Sequence, residues 1–442
     1  MLLPMSTPSA TTDSKRPDAL GAMRDLPYMG VIFVVAEAAK LGFYNGHPDW
    51  CNLGQGQPEV GEMRGAPPRI LSVELEPSDS AYGPLEGTNE LRERIAEYVN
   101  DQYRAGHRSR YTAANVCVAS GGRLALTRAM AALERGAVGY QVPDYTAYED
   151  MFNLHLDRLD PIAIPSGPRD GFAIPAERLR AETRRHDLRA FVFSNPCNPT
   201  GVLIQGPALE EYVRVAREES LTLFSDEFYS HFIYAPGPQG IGGDTVPGDG
   251  PVSAAAYVED VERDPVIVFD GLTKNHRYPG WRVGWALGPA AMIETMARTA
   301  SSIDGGPSKL AQRAALEALE PARAEQETRA LREVFNEKRN LMMRRLRELG
   351  VRFVHQNTST FYCWGSLEAL PPPLDDGMAF FRAALQERVM TVPGEFFDVN
   401  PGKRRTAPSP FRQWMRFSFG PPLDNVAMGL DRLEHMVAAA RG

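Results

Sequence analysis

Three observations predict an α/β fold: a mostly parallel, seven-stranded sheet in a large domain, followed by a smaller α+β domain. Seven short β-rich runs alternate with helical stretches between about residues 115 and 290. A long, charged helical pattern, ARAEQETRALREVFNEKRNLMMRRLRELG, ends at Gly350. Beyond it, strand-like and helical runs mix without the regular alternation that marks a parallel sheet.

Taken in order, residues 1–22 read as a flexible arm, since MLLPMSTPSATTDSKRPD has no apolar stretch long enough for a signal peptide. Residues 23–70 read as an N-terminal segment that packs with the small domain. The large domain is assigned to 71–330. LEGTNELRERIAEYVNDQY has helical periodicity starting at Gly87 and Thr88, and VCVA is the first strand. A helix near Leu124–Glu134 follows, then the strands VGYQV, PIAIP and AFVFS, a helix near Leu209–Glu219, and the strands LTLFS, VIVFD and VGWAL. YAPGPQGIGGDTVPGDGP, residues 234–251, is too rich in Pro and Gly for regular structure and reads as a loop. The long charged helix reads as a connector. The small domain, 331–442, takes FVHQ, TFYCW, a helix around Gly377–Glu387, VMTVPG and QWMRFSF.

Composition excludes several functions. The 442 residues carry 48 Lys and Arg against 56 Asp and Glu, a net charge of −8. An acidic chain lacks the basic face that nucleic acid or an anionic membrane requires. No stretch approaches the roughly 20 apolar residues of a membrane span, so a cytoplasmic location is expected. Cys51, Cys117, Cys197 and Cys363 are far apart, with neither disulfide nor zinc spacing, so reduced thiols and no metal are expected.

The sharpest local signal is SNPCNPTG, Ser194–Gly201, directly after AFVF. A proline-locked turn leaving a strand explains the prolines but not two asparagines in a rigid frame. Such a frame can aim the Asn198 amide at a ligand oxygen with little entropy lost on binding. Asp226 and Tyr229 stand at the end of LTLFS in FSDEFYSHF; Lys274 follows VIVFDGLT, and Arg282 lies in PGWR. Ligands of parallel sheets bind at the carboxyl ends of the strands, where Asn198, Asp226 and Lys274 fall. A basic turn around Pro279-Gly280 carrying a solvated lysine is the plainer reading of that last stretch.

Together these motifs resemble the fold-type I enzymes that use pyridoxal 5'-phosphate (PLP), in the class I/II aminotransferase family, and most of the chain follows that pattern. The resemblance implies that Lys274 is the Schiff-base lysine and proton shuttle, and that Asp226 is the partner of the ring nitrogen. It implies that Tyr229 and Asn198 contact the phenolic oxygen, and that Arg282 and Thr273 bind the phosphate. Ser120-Gly121-Gly122, between a strand and a helix, resembles the phosphate cup, with Gly122 and Arg123 as backbone donors. In PDYTAYED, Tyr145 would stack on the cofactor while Tyr148 packs; in SAYGPLEGTNELR, Tyr82 would reach the phosphate of a neighbouring subunit, making a homodimer obligatory. For the substrate, the resemblance implies Arg416 of QWMRFSF, rather than Arg412, as the α-carboxylate clamp. Alternation along the strand supports this. Gly56 of NLGQGQPE would line the pocket, with Asn198 also reaching substrate.

The expected activity is transamination of an amino acid through an external aldimine and a quinonoid, with an oxo acid or a second small molecule as partner. The alternative is a PLP-dependent γ-elimination, replacement, cyclising or oxidative enzyme of natural-product biosynthesis. A transcription regulator of the same fold is disfavoured, because only about 25 residues precede the matching segment, too few for a DNA-binding module. Four features depart from the family pattern. Gly271-Leu272-Thr273-Lys274 replaces Ser-x-Ser-Lys; Asn275, His276 and Arg277 follow the lysine; Ser359 replaces a glycine; and the 234–251 run reads as an insertion. Cys197, in the variable position of the asparagine motif, reads as structural.

Overall fold

Near-continuous apolar runs form strands buried on both faces, the condition under which parallel sheets occur. The computed structural model describes residues 30–234 and 250–442, so the expected arm 1–22 and all but the ends of the 234–251 run lie outside the described residues. The chain opens with α1 (Gly30–Lys40), β1 (Cys51–Asn52), α2 (Asn89–Tyr103), β2 (Val116–Ala119), α3 (Gly122–Ala132) and β3 (Gly136–Val142). Next come α4 (Ala147–Asn153), β4 (Leu159–Pro165), α5 (Ala176–His186), β5 (Leu188–Ser194), α6 (Pro207–Glu218), β6 (Thr222–Asp226), β7 (Val266–Gly271) and β8 (Gly284–Leu287). The helices α7 (Ala290–Ile303), α8 (Lys309–Ala318) and α9 (Pro321–Leu349) lead to β9 (Tyr362–Ser366) and α10 (Gly377–Gln386). The chain closes with β10 (Val389–Met390), β11 (Val392–Pro393), β12 (Trp414–Ser418) and α11 (Leu423–Arg441).

The seven expected strands form one sheet in the order β2-β8-β7-β6-β5-β3-β4. Only β8 runs antiparallel to its neighbours. Strand alternation divides its side chains between two cores. In β5, Ala190 and Val192 join one core while Phe191 and Phe193 join the other. Leu126 and Met130 of α3 and Ile293 of α7 cover the first face; Leu91 of α2, Leu179 of α5 and Tyr212 of α6 cover the second. The result is three layers, with one edge of the sheet left to host a site.

The long helix α9 starts at Pro321, capped by the Glu320 carboxylate, and stops at Gly350, whose φ of +108 suits glycine. It is more than a connector: Glu327, Lys338 and Arg339 are buried along it. Lys338 Nζ donates to Glu59 Oε1 at 2.7 Å and to the Pro421 carbonyl at 2.7 Å, tying the N-terminal segment to the C-terminal part. β1 pairs in parallel with β10, so residues 51–52 belong beside 389–390.

FVHQ is not a strand: pairing there is limited to an isolated bridge from Arg352 to Ser366, and Val354 is exposed, so the run has no buried face to reward a ladder. VMTVPG splits between two sheets, β10 with β1 and β11 with β12; β9, β11 and β12 form a three-stranded antiparallel sheet.

Candidate active site

The carboxyl ends of β3, β5, β6 and β7 share one edge of the large sheet. Strand register sets Ser194 of β5 beside Asp226 of β6. Lys274 follows three residues after β7, and Gly121-Gly122 lead from β2 into α3. These segments enclose a cavity of about 910 Å³, closed on its far side by Gln55-Gly56-Gln57, Tyr362 and Arg416. Asn198, Asp226, Tyr229, Thr273, Lys274, Arg282, Gly122, Arg123, Tyr145 and Gly56 all line it.

Lys274 Nζ donates to the Gly56 carbonyl. Burial, and then the Arg416, Arg282 and Arg123 guanidinium groups, push its amine pKa down to about 7, with Asp226 opposing them. A nucleophilic amine near neutral pH is the consequence. Asp226 is buried, and burial raises its carboxyl to about 6 against hydrogen bonds from Tyr148 and the Phe228 backbone. The Tyr148 hydroxyl donates to Asp226 Oδ2 at 2.7 Å. Tyr148 does pack in the core as expected, but its hydroxyl also holds the carboxylate, a role that PDYTAYED did not disclose.

The two asparagines of SNPCNPTG divide the work. Asn195 pairs both its amide atoms with the Ile204 backbone, at 2.8 and 2.9 Å, and pins the loop. Asn198 faces the cavity; its Oδ1 accepts from Arg416 Nη1 at 2.8 Å, so its NH2 group is the part available as a donor. Behind them is a link invisible in the sequence. The buried Asp144 carboxylate accepts from the Ser194 hydroxyl, from Ser194 N at 3.1 Å and from Tyr145 N at 2.7 Å. Asn198 N in turn donates to Ser194 Oγ at 3.1 Å, so a single carboxylate fixes Tyr145 and Asn198 relative to one another. Ser359, where a glycine was expected, donates to the Gly201 carbonyl at 2.9 Å and braces the same motif. Cys197 is buried and its thiol is raised to about 12 by burial, which leaves it an inert part of the loop.

Arg416 is buried, with Nη2 on the Gly54 carbonyl at 2.9 Å and its guanidinium 4.0 Å from the Tyr362 ring centroid. Its Nε has no partner. Arg412 instead pairs at the surface with Asp376 at 3.1 Å. Tyr229 Oη lies 2.9 Å from Tyr362 Oη. Tyr82 is fully exposed and does not line this chain's cavity.

Three polar residues after the lysine, unexplained by sequence, are structural. Asn275 Nδ2 donates to Asp270 Oδ1 at 2.7 Å and to Ser230 Oγ at 3.0 Å, while its Oδ1 accepts from His231 N at 3.2 Å. His276 is buried, and burial drives it down to about 3, so it stays neutral. Arg277 is fully buried; it binds Glu327 Oε1 through Nε at 2.5 Å and the Glu59 and Gly61 carbonyls through Nη1. The turn that carries Lys274 is thereby bolted to α9 and to the N-terminal segment.

A phosphate-bearing, dipolar ring fits this chemistry. Gly121 has φ +93, and a Cβ there would lie 2.1 Å from Arg282 Nη2, so the guanidinium covers the exposed start of α3. Thr273 Oγ1 is buried with no partner, a donor that calls for an acceptor in the cavity. Residues 48–433 match the family model described as aminotransferase class I and II. The chain belongs to that family. This class I/II aminotransferase uses PLP, is a transferase, and takes small-molecule amino-acid and oxo-acid substrates. It is 26% identical to an aspartate aminotransferase of Sulfurisphaera tokodaii over 396 residues, 87% of this chain and 89% of that one. It is 30% identical to an aspartate/prephenate aminotransferase of Thermus thermophilus over 322 residues, 72% of this chain and 76% of the relative. Among solved structures, the aspartate aminotransferase from Thermus thermophilus with maleate superposes with a TM-score of 0.74 at 24% identity, covering 94% of this chain and 100% of that chain, a match of fold. Among the described residues, no helix is long and apolar enough to cross a membrane, and no cluster could hold a metal ion.

Proposed function

We propose that the cavity carries out amino-group transfer between an amino acid and an oxo acid, with Lys274 as anchor and proton carrier. The observation that supports it is the convergence of Lys274, Asp226 and Arg416 on one cavity. Lys274, Asp226, Tyr229, Asn198, Thr273, Arg282, the Gly122 and Arg123 backbone, and Tyr145 would hold the cofactor. When bound, the cofactor supplies an electron-poor ring that stabilises negative charge at the substrate α-carbon.

The chain's own residues do the rest. Arg416, prepaid in position by Gly54 and Asn198, offers a planar fork to the substrate carboxylate and fixes which bond at the α-carbon faces Lys274. Nζ, its amine pKa pushed down to about 7 so that about half of it is neutral there, takes the α-proton and returns it. Asp226, kept ionised with the help of the Tyr148 hydroxyl, would pair with the cofactor's ring nitrogen. The relatives' names favour this over elimination, replacement, cyclisation or oxidation.

We read Tyr82 as reaching the site of a second copy in a homodimer, which its full exposure supports. A cytoplasmic location is supported by four buried, unbridged cysteines. Replacing Lys274 by Ala is expected to abolish both the visible absorption of lysine-linked cofactor and amino-group transfer. Retention of that absorption would overturn the assignment of Lys274.

A further inference from the structure

Three buried tyrosines end on main-chain carbonyls. Tyr234 Oη donates to the Thr360 carbonyl at 2.7 Å, Tyr212 Oη to that of Ile174 at 2.5 Å and Tyr140 Oη to that of Val399 at 3.1 Å. A carbonyl can only accept, so in these three the hydroxyl hydrogen is spent on structure. Tyr362 differs. It is fully buried, it lines the cavity, and its hydroxyl meets another hydroxyl, Tyr229 Oη, at 2.9 Å. Among the described residues, neither oxygen has a further hydrogen-bond partner.

Two hydroxyls that share one hydrogen bond carry two hydrogens, so one hydrogen is left over. The hydroxyl that accepts keeps its own hydrogen for the cavity. Strand register decides which one that is. β12 pairs with β9 so that Arg416 stands opposite Trp364 and diagonal to Tyr362, within reach of its ring. The guanidinium carbon lies 4.0 Å from the Tyr362 ring centroid. A cation over a ring face draws charge out of the ring, which makes the hydroxyl a better donor and a poorer acceptor. The rings packed on Tyr229 are those of Phe232, Phe361 and Tyr362, and among the described residues no cation covers its face. The shared bond therefore runs from Tyr362 to Tyr229.

We propose that Tyr362 is a positioning residue: its hydroxyl donates to Tyr229 Oη and so commits the Tyr229 hydrogen to the cofactor's phenolic oxygen. This rests on the reading of Tyr229 as a contact of that oxygen. A hydroxyl that receives a hydrogen bond is itself a stronger donor, so the pair acts as a short relay. Arg416 links Tyr362 to the second such contact, because the same guanidinium donates to Asn198 Oδ1 at 2.8 Å.

The test follows, in the full-length holoenzyme, the pH midpoint at which the visible band of the lysine-linked cofactor changes. A donor to the phenolic oxygen draws negative charge from it and loosens its hold on the neighbouring lysine-linked proton, so a weakened donor raises the midpoint. The other charged or titratable groups facing the pair, Arg416, Tyr145, Lys274 and Asp226, are the same in every variant. Tyr229→Phe loses a whole hydrogen bond and is expected to raise the midpoint by about half to one pH unit. Tyr362→Phe keeps the ring under Arg416 and is expected to raise it by about 0.3 unit, the cooperative share of that bond. In the Tyr229→Phe background, Tyr362→Phe is expected to add nothing. Tyr362→3-fluorotyrosine keeps the shape, makes the hydroxyl a stronger donor, and is expected to lower the midpoint.

An unmoved midpoint in Tyr362→Phe beside a raised one in Tyr229→Phe would overturn the proposal alone. An unmoved midpoint in Tyr229→Phe would overturn it together with the reading of Tyr229. Additive shifts in the double variant would mean that Tyr362 acts by packing, and so would an upward shift with fluorotyrosine. Should Tyr362→Phe fail to fold, the fluorotyrosine protein decides: a lowered midpoint supports the relay, and an unmoved one overturns it.

Discussion

Tyr148 Oη donates to Asp226 Oδ2 at 2.7 Å, and both side chains are buried. A hydrogen bond to an ionised group contributes about 1.5–3 kcal/mol. Removing the donor in Tyr148→Phe favours the protonated acid, so the Asp226 pKa rises. Cofactor affinity is expected to fall roughly tenfold or more, and the acid limb of its pH profile to move to higher pH. Equilibrium dialysis across a pH series measures both. An unmoved acid limb would make Tyr148 a packing residue and nothing more.

Lys274 titrates near pH 7 rather than in the usual lysine range, because burial and three guanidinium groups disfavour its ammonium form. The neutral amine is the nucleophile, and its fraction grows as pH rises through that value. In the cofactor-free protein, modification of Lys274 by an amine-directed reagent, followed by mass spectrometry, is expected to reach half its limiting rate near pH 7. A midpoint above 10 would mean that the lysine is solvated.

Gly121 tolerates no side chain, on two counts: its φ of +93 and the 2.1 Å approach of Arg282 Nη2 to a Cβ built there. Gly121→Ala is therefore expected to displace Arg282 and weaken cofactor binding, with the apoprotein still folded. Circular dichroism and a cofactor titration separate the two effects. Wild-type affinity in this variant would show that Arg282 does not guard the helix start.

Arg277 is the fully buried member of an ion pair with Glu327, itself buried. Truncating one partner of a buried pair costs about 3–5 kcal/mol when the other charge is left alone; here Arg69 Nη1, 3.7 Å from Glu327 Oε1, stays beside it and reduces the loss. Arg277→Met should lower the unfolding free energy in denaturant titration by less than that but by more than about 1 kcal/mol. A loss below about 1 kcal/mol, the scale of a surface pair, would show that Glu327 finds compensation elsewhere.

Much of the site could be read from sequence because its residues sit in short, rigid motifs at strand ends. Asn198, Asp226 and Lys274 each stand at or just after the end of a β-rich run, and Arg282 just before the next one, so position along the chain nearly dictates position in space. Arg416 stood out because strand alternation turns it away from its apolar neighbours Met415 and Phe417, whereas Arg412 precedes the strand. Tyr148 and Ser194 lay inside quoted motifs, yet their roles depend on Asp226 and Asp144, 78 and 50 residues away. Local pattern carries no record of such a pairing. Asn275, His276 and Arg277 looked chemical because they are polar and next to the nucleophile; their burial, decided by α9 and residues 59–61, makes them a brace.

The sequence by itself determined the alternation of seven strands with helices, the rigid asparagine loop and the lysine at a strand end, since each follows from propensity, period and turn chemistry within a few residues. Tertiary structure alone decided which charges meet. Burial lowers Lys274 and raises Asp226, and Arg416 binds Asn198 from 218 residues away. These are effects of desolvation and long-range contact, and they exist only once the chain has brought distant segments together.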